Sequence, residues 1–109
     1  MHELGITEEI ISIACERAQG EKIKRIVLEI GRLSMVLPSA VQFCFPICSQ
    51  GTSADGATLE IIEVPGLARC KSCGNQFQLE QAFGRCECQG IDLEWLAGEE
   101  LKIKEMELF

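Results

Sequence analysis

Cys70-Lys71-Ser72-Cys73-Gly74 and, twelve residues further on, Cys86-Glu87-Cys88 place two closely spaced thiol pairs in a polar stretch of the chain. Two thiolates from one tight turn can grip a single ion, and two such turns close a tetrahedron of sulfur for which zinc is the ordinary occupant. A closed set leaves no coordination position for a substrate, so the expected role is structural. An iron site of the rubredoxin kind uses similar pairs and would announce itself by colour. A thioredoxin-like redox pair fits less well, because Cys70 follows the Pro65-Gly66 break and opens no helix after a central strand. The second pair is one residue shorter than the usual zinc-ribbon spacing, so Cys88 is expected to be the least secure ligand.

The amino terminus offers a different chemistry. His2 is the one histidine of the chain. With a large second residue the initiator methionine is expected to stay. The free amine of Met1, the main-chain nitrogen and imidazole of His2, and the nitrogen of Glu3 then lie within a few bonds of one another. Such a near-planar nitrogen set suits Ni(II) or Cu(II) and not Zn(II). It requires amide deprotonation, so affinity should rise with pH. Two readings of Glu3 stand side by side: a ligand whose carboxylate reaches His2 or a partner, or a favourable charge at a helix amino end. His2 likewise reads either as a ligand or as an ordinary surface residue.

These groups must be positioned by regular structure. From Leu4 to Gln19 apolar residues recur at helical spacing and Gly20 ends the run. Ile23 to Ile30 alternates as a strand, with Ile26, Leu28 and Ile30 on one face. Pro38 starts a second helix toward Ser49, which Pro46 should kink or end early. Ala57 to Val64 is a second strand, and the order so far is β-α-β. Residues 67–93 lose the apolar periodicity and cannot form a core unaided. Glu99 to Leu108 alternates again, but the parity changes between Leu101, Ile103 and Met106, Leu108. A bulge, or a strand whose halves bury opposite faces, would explain this. The expected fold is α+β: a small sheet of about three strands with two helices, plus an inserted zinc-ribbon-like lobe with two cysteine-bearing turns. The boundaries expected are residues 1–65 with 97–109 for the first unit and 66–96 for the lobe. Cys15, Cys44 and Cys48 sit among apolar neighbours at helical spacing and read as core packing.

The chain has 109 residues, of which 47% are hydrophobic and 25% charged, with seven cysteines and a formal net charge of -7. The acidic excess is shared by both halves, so no basic patch attracts a phosphate backbone, and nucleic acid is not an expected ligand. The opening residues lack the features of a signal peptide, and no apolar run approaches a membrane span. A cytoplasmic location without membrane contact is expected, and there close cysteines mean metal ligation before disulfides. No nucleophile and base pair, phosphate loop or open metal site stands out, so an enzyme is the poorest reading.

Met1-His2-Glu3-Leu4, Leu28-Glu29-Ile30-Gly31-Arg32-Leu33-Ser34, Ser39-Ala40-Val41-Gln42-Phe43-Cys44-Phe45, Gly51-Thr52, the two cysteine pairs and the closing Gly98 to Glu107 segment together resemble the HypA/HybF family of hydrogenase nickel-incorporation proteins. The resemblance implies a cytoplasmic nickel metallochaperone acting with the GTPase HypB and the large subunit of a nickel-iron hydrogenase. In some organisms it extends to urease maturation. It maps the nickel site onto Met1, His2 and Glu3 and structural zinc onto Cys70, Cys73, Cys86 and Cys88. Two positions depart from the family pattern: Cys86-x-Cys88, normally Cys-x-x-Cys, and Pro46. A zinc-ribbon adaptor that transfers no nickel is the alternative.

Overall fold

Eight elements follow one another in the computed structural model, which describes residues 2–109: α1 (His2–Ala18), β1 (Ile23–Gly31), α2 (Pro38–Ser49), β2 (Thr58–Val64), β3 (Leu67–Cys70), β4 (Gln76–Gln78), β5 (Leu93–Ala97) and β6 (Leu101–Leu108). Met1, one of the expected nickel ligands, lies outside the described residues. The helix α1 begins at His2, two residues earlier than the apolar periodicity starts, so His2 and Glu3 belong to its first turn. It ends as its sequence demands, with Gln19 and Gly20 both at positive φ.

The first sheet has the order β2-β1-β6, with β1 parallel to β2 and antiparallel to β6. Ile26, Leu28 and Ile30 are buried against Ile10, Ile11 and Ala14 of α1 and Val41 and Phe45 of α2. Burying each such aliphatic chain is worth about 1.5 to 3 kcal/mol, which makes this the main source of stability. Cys15 and Cys48 pack half-buried against this cluster, and Cys44 is buried on α2 without belonging to it. The change of parity in β6 is a bulge: Val27 pairs with Glu105 and Leu28 with Ile103, so Lys104 is extra. Ile103 and Met106 thereby reach the same core.

Of the kink or early end expected at Pro46, the early end does not occur, since α2 continues to Ser49. Proline lacks the donor that would reach the carbonyl four residues back, but Pro46 lies in the last turn, where few such bonds follow. Buried Val41, Cys44 and Phe45 hold the helix on the sheet instead.

The second sheet has the order β4-β3-β5, all antiparallel. Its core is Leu33, Ala68 and Leu79, with Phe77, Leu93 and Trp95 packed alongside. Leu33 comes from outside the lobe, from the turn after β1. Three fully buried residues are too few to stabilise a lobe of this size, as its sequence implies.

Main chain meets main chain where the sheets join. Leu33 N–H donates to Gly98 O at 2.7 Å, Arg32 N–H to Val64 O at 2.9 Å, and Leu79 N–H to Gly66 O at 2.9 Å. A Cβ on Gly31 would stand 1.9 Å from Gly98 O, and one on Gly98 would stand 2.7 Å from Gly66 Cα. Only glycine permits such approaches. No helix among the described residues is long and apolar enough to cross a membrane.

Candidate metal centres

The four sequence-selected cysteines of the lobe converge. Cys70 closes β3, Cys73 follows three residues later in the turn, and Cys86 and Cys88 come from the second turn before β5. Cys70 Sγ stands 3.6 Å from Cys88 Sγ, Cys73 Sγ stands 3.4 Å from Cys86 Sγ, and all four sulfurs lie within 4.8 Å of one another. Four sulfurs about 2.3 Å from one tetrahedral ion stand about 3.8 Å apart, so this donor set fits zinc in both chemistry and size. Cys70 and Cys86 are buried, while Cys73 and Cys88 face solvent.

Backbone geometry explains how the shortened pair still closes. In the first turn Gly74 N–H donates to Cys70 O at 2.8 Å, and Gly74 has φ +79°. In the second, Gln89 N–H donates to Cys86 O at 2.9 Å, and Gln89 takes φ +72°. Each left-handed residue directly follows the second cysteine of its pair. The missing residue makes the second turn tighter without withdrawing Cys88.

Electrostatics separates the thiols. The N–H groups of Cys73 and Ser72 lower Cys70 to about 7, and the N–H of Cys88 lowers Cys86. The N–H of Asn75 acts downward on Cys73, but the crowding thiols of Cys86 and Cys88 push it up to about 12. Cys88 is also raised: the N–H of Gly90 acts downward, and the Cys70 thiol prevails against it. Four thiolates this close repel one another, and a divalent cation is what allows all of them to ionise together.

Two contributors carry only a weak signal in the sequence. Asn75 accepts the Cys70 N–H at 2.9 Å through its carbonyl, and its Nδ2 lies 3.9 Å from Cys86 Sγ. Gly90 passes so close that an added Cβ would meet Cys70 Sγ at 3.1 Å and Cys88 Sγ at 3.2 Å. A glycine just past a cysteine pair is the one available hint, and it does not distinguish turn geometry from closeness to sulfur.

At the amino terminus His2 is exposed, and its Nδ1 lies 3.6 Å from Glu3 Oε2. Glu3 is mostly covered. Its own N–H holds the carboxyl below the ordinary value, aided by the His2 imidazole and the Leu37 N–H. The Glu3 carbonyl accepts the buried Thr7 hydroxyl at 2.6 Å, which ties this turn to the body of α1. Cys15, Cys44 and Cys48 do not join the sulfur cluster.

A protein family described as "Hydrogenase/urease nickel incorporation, metallochaperone, hypA" matches residues 1–108. Over 108 residues the chain is 59% identical to the hydrogenase maturation factor HypA of a Nostoc species, covering 99% of this chain and 96% of that protein. It is 44% identical over 109 residues to the protein of the same name from Geobacter sulfurreducens, covering 99% of each. The solution structure of the Ni metallochaperone HypA from Helicobacter pylori shares the fold, with TM-score 0.69 at 23% identity over 97% of this chain and 96% of that one. A further solution structure of HypA protein gives TM-score 0.70 at 25% identity, covering 100% and 97%.

Proposed function

This chain belongs to the HypA family of hydrogenase and urease nickel-incorporation metallochaperones, and from that premise we propose that it carries Ni(II) on Met1, His2 and Glu3. The observation that carries the reading is that His2 and Glu3 lie in the first turn of α1. The first N–H groups of a helix have no acceptor within it, so the amides of His2 and Glu3 are not spent on the helical ladder. An exposed imidazole stands beside them, and its Nδ1, the ring nitrogen that can close a chelate with the His2 main-chain nitrogen, faces the Glu3 carboxylate at 3.6 Å, close enough for the carboxylate to steer the ring.

Such a site suits a cargo ion. Ligands on the outermost turn of a helix can be exchanged one at a time with those of a partner. A carrier working near a micromolar Kd holds its ion by about 8 kcal/mol, enough to retain it and not too much to release it. On this reading the chain is a carrier and not a catalyst. Its proposed setting is the cytoplasm, between the GTPase HypB and the large subunit of a nickel-iron hydrogenase, with urease maturation proteins as further partners.

Cys70, Cys73, Cys86 and Cys88 are proposed to hold zinc. A bound zinc cross-links the two turns and supplies folding free energy to a lobe with little core. Cys70 and Cys86 would anchor it from the buried side, while Asn75 and Gly90 shape the space around the sulfurs. The proposed division of labour gives nickel to residues 1–65 and 97–109, and zinc to residues 66–96.

Calorimetric Ni(II) titration of zinc-loaded protein with an untagged amino terminus tests this, beside His2→Ala and a form with one glycine added before Met1. One tight equivalent, lost in both altered proteins, is the expected result. Equal binding in all three, or none, would replace the carrier with a zinc-ribbon adaptor.

A further inference from the structure

A groove of about 520 Å³ on the sulfur lobe, remote in sequence from the amino-terminal site, has the makings of a recognition pocket. One wall is the face of β5 and the residues leading into it, where Ile91, Leu93 and Trp95 alternate onto the same side. The other wall is the loop that carries Ala82, Phe83, Gly84 and Arg85 into Cys86. Phe83 is 85% exposed and Ile91 70%, so much apolar surface faces water on a small lobe.

Packing fixes the loop wall. A Cβ on Gly84 would stand 2.4 Å from Leu79 Cδ1, and Leu79 is buried in the lobe's core. The approach holds the backbone against that core and leaves Phe83 and Arg85 on either side of it.

Charge decides what the groove would take. The lobe has three cations, and two are engaged: Arg69 pairs with Glu94, and Lys71 lies 3.8 Å from Asp92 Oδ1. Arg85 makes no ion pair or side-chain hydrogen bond among the described residues, although the chain carries seventeen carboxylates. A guanidinium beside an apolar trough offers a carboxylate a two-pronged partner and an adjacent slot for a greasy side chain. Aromatic residues with arginine are also the residue types that dominate recognition surfaces.

We propose that this groove docks an extended segment of a partner protein in which a bulky aliphatic residue adjoins an acidic one, the aliphatic chain lying between Phe83 and Trp95 and the carboxylate on Arg85. This goes beyond nickel carriage and does not depend on the amino-terminal ligands, so the two can fail separately.

Trp95 is the one tryptophan of the chain and lines the groove, so its fluorescence reports occupancy directly. The probe is the capped peptide acetyl-Gly-Leu-Glu-Leu-Gly-amide, titrated into the zinc-loaded full chain beside the same peptide with Gln or Lys for Glu. The expected result is a saturable change in Trp95 emission, weakened about tenfold or more by the Gln peptide, by Arg85→Glu and by Phe83→Ser. Unchanged zinc content in both variants shows that the lobe is intact. No saturable change with the Glu peptide overturns the proposal, as does equal response to the Lys peptide or an unaffected Arg85→Glu. An emission change that grows with protein concentration alone, together with a doubled mass in sedimentation, would assign the groove to a second copy of the chain and overturn it too.

Discussion

A Cβ placed on Gly90 would press on the Sγ of Cys70 at 3.1 Å, which makes a glycine with an ordinary backbone part of the sulfur cluster's packing. The free thiols could shift by the few tenths of an ångström needed, but sulfurs tied to one ion cannot. Gly90→Ala is expected to lower zinc affinity about tenfold while the first sheet stays folded. Competition with a coloured chelator measures the loss, and unchanged affinity would show that the cluster yields.

Chelation should separate the two sheets. Removing the ion deprives the lobe of its main support, whereas the first sheet keeps its own buried core. The expected result is a red shift of Trp95 emission with most of the far-ultraviolet helical signal retained. Loss of the helical signal at the same chelator concentration would mean that the sheets unfold as one unit.

The junction admits no side chain at Gly31. A Cβ there would stand 1.9 Å from Gly98 O, which accepts the Leu33 N–H, while Gly31 itself is held by its N–H donating to Glu100 O. Gly31→Ala is expected to cost about 3 kcal/mol or more, read from chemical denaturation of the first sheet. A loss below about 1 kcal/mol would show that β1 and the segment before β6 can separate without consequence.

Cys48 should react slowly with alkylating agents. Burial raises its thiol above the ordinary value, and the Glu8 carboxylate and then the Cys44 thiol add to the effect. Only the thiolate attacks, so raising the pKa lowers the reactive fraction at pH 8. Labelling followed by mass spectrometry should show Cys48 modified more slowly than free cysteine, and faster with rising pH. Glu8→Gln removes one cause and should accelerate it. Equal rates with and without Glu8 would leave burial and the Cys44 thiol as the explanation.

Much of this architecture can be read along the chain because its signals are local. Alternation marks β1 and β2, and the parity change between Ile103 and Met106 leaves a bulge or opposite-face burial open, of which the bulge at Lys104 is the one found. The cysteine spacing announced the cluster, including the pair whose shortness the left-handed Gln89 absorbs. Contacts between distant segments were not legible in the same way. Val27 lies on the charged side of β1 yet is only 2% exposed, because its register sets it between Glu60 and Glu105, each ion-paired with Arg25. Leu33 reads as a turn residue, and only the folded chain shows it completing the core of a lobe that starts thirty-odd residues later. Pro46 was a true local warning, outweighed by the buried face of α2.

The chain leaves for the sulfur lobe at Gly66 and comes back at Gly98, and those two residues touch. To the rest of the molecule the whole excursion is a loop whose ends are already together, so its length adds little closure entropy. Residues added or removed between those points are expected to leave the register of β1, β2 and β6 undisturbed. The lobe can therefore change in length while the register of the helices and sheet beneath it stays the same.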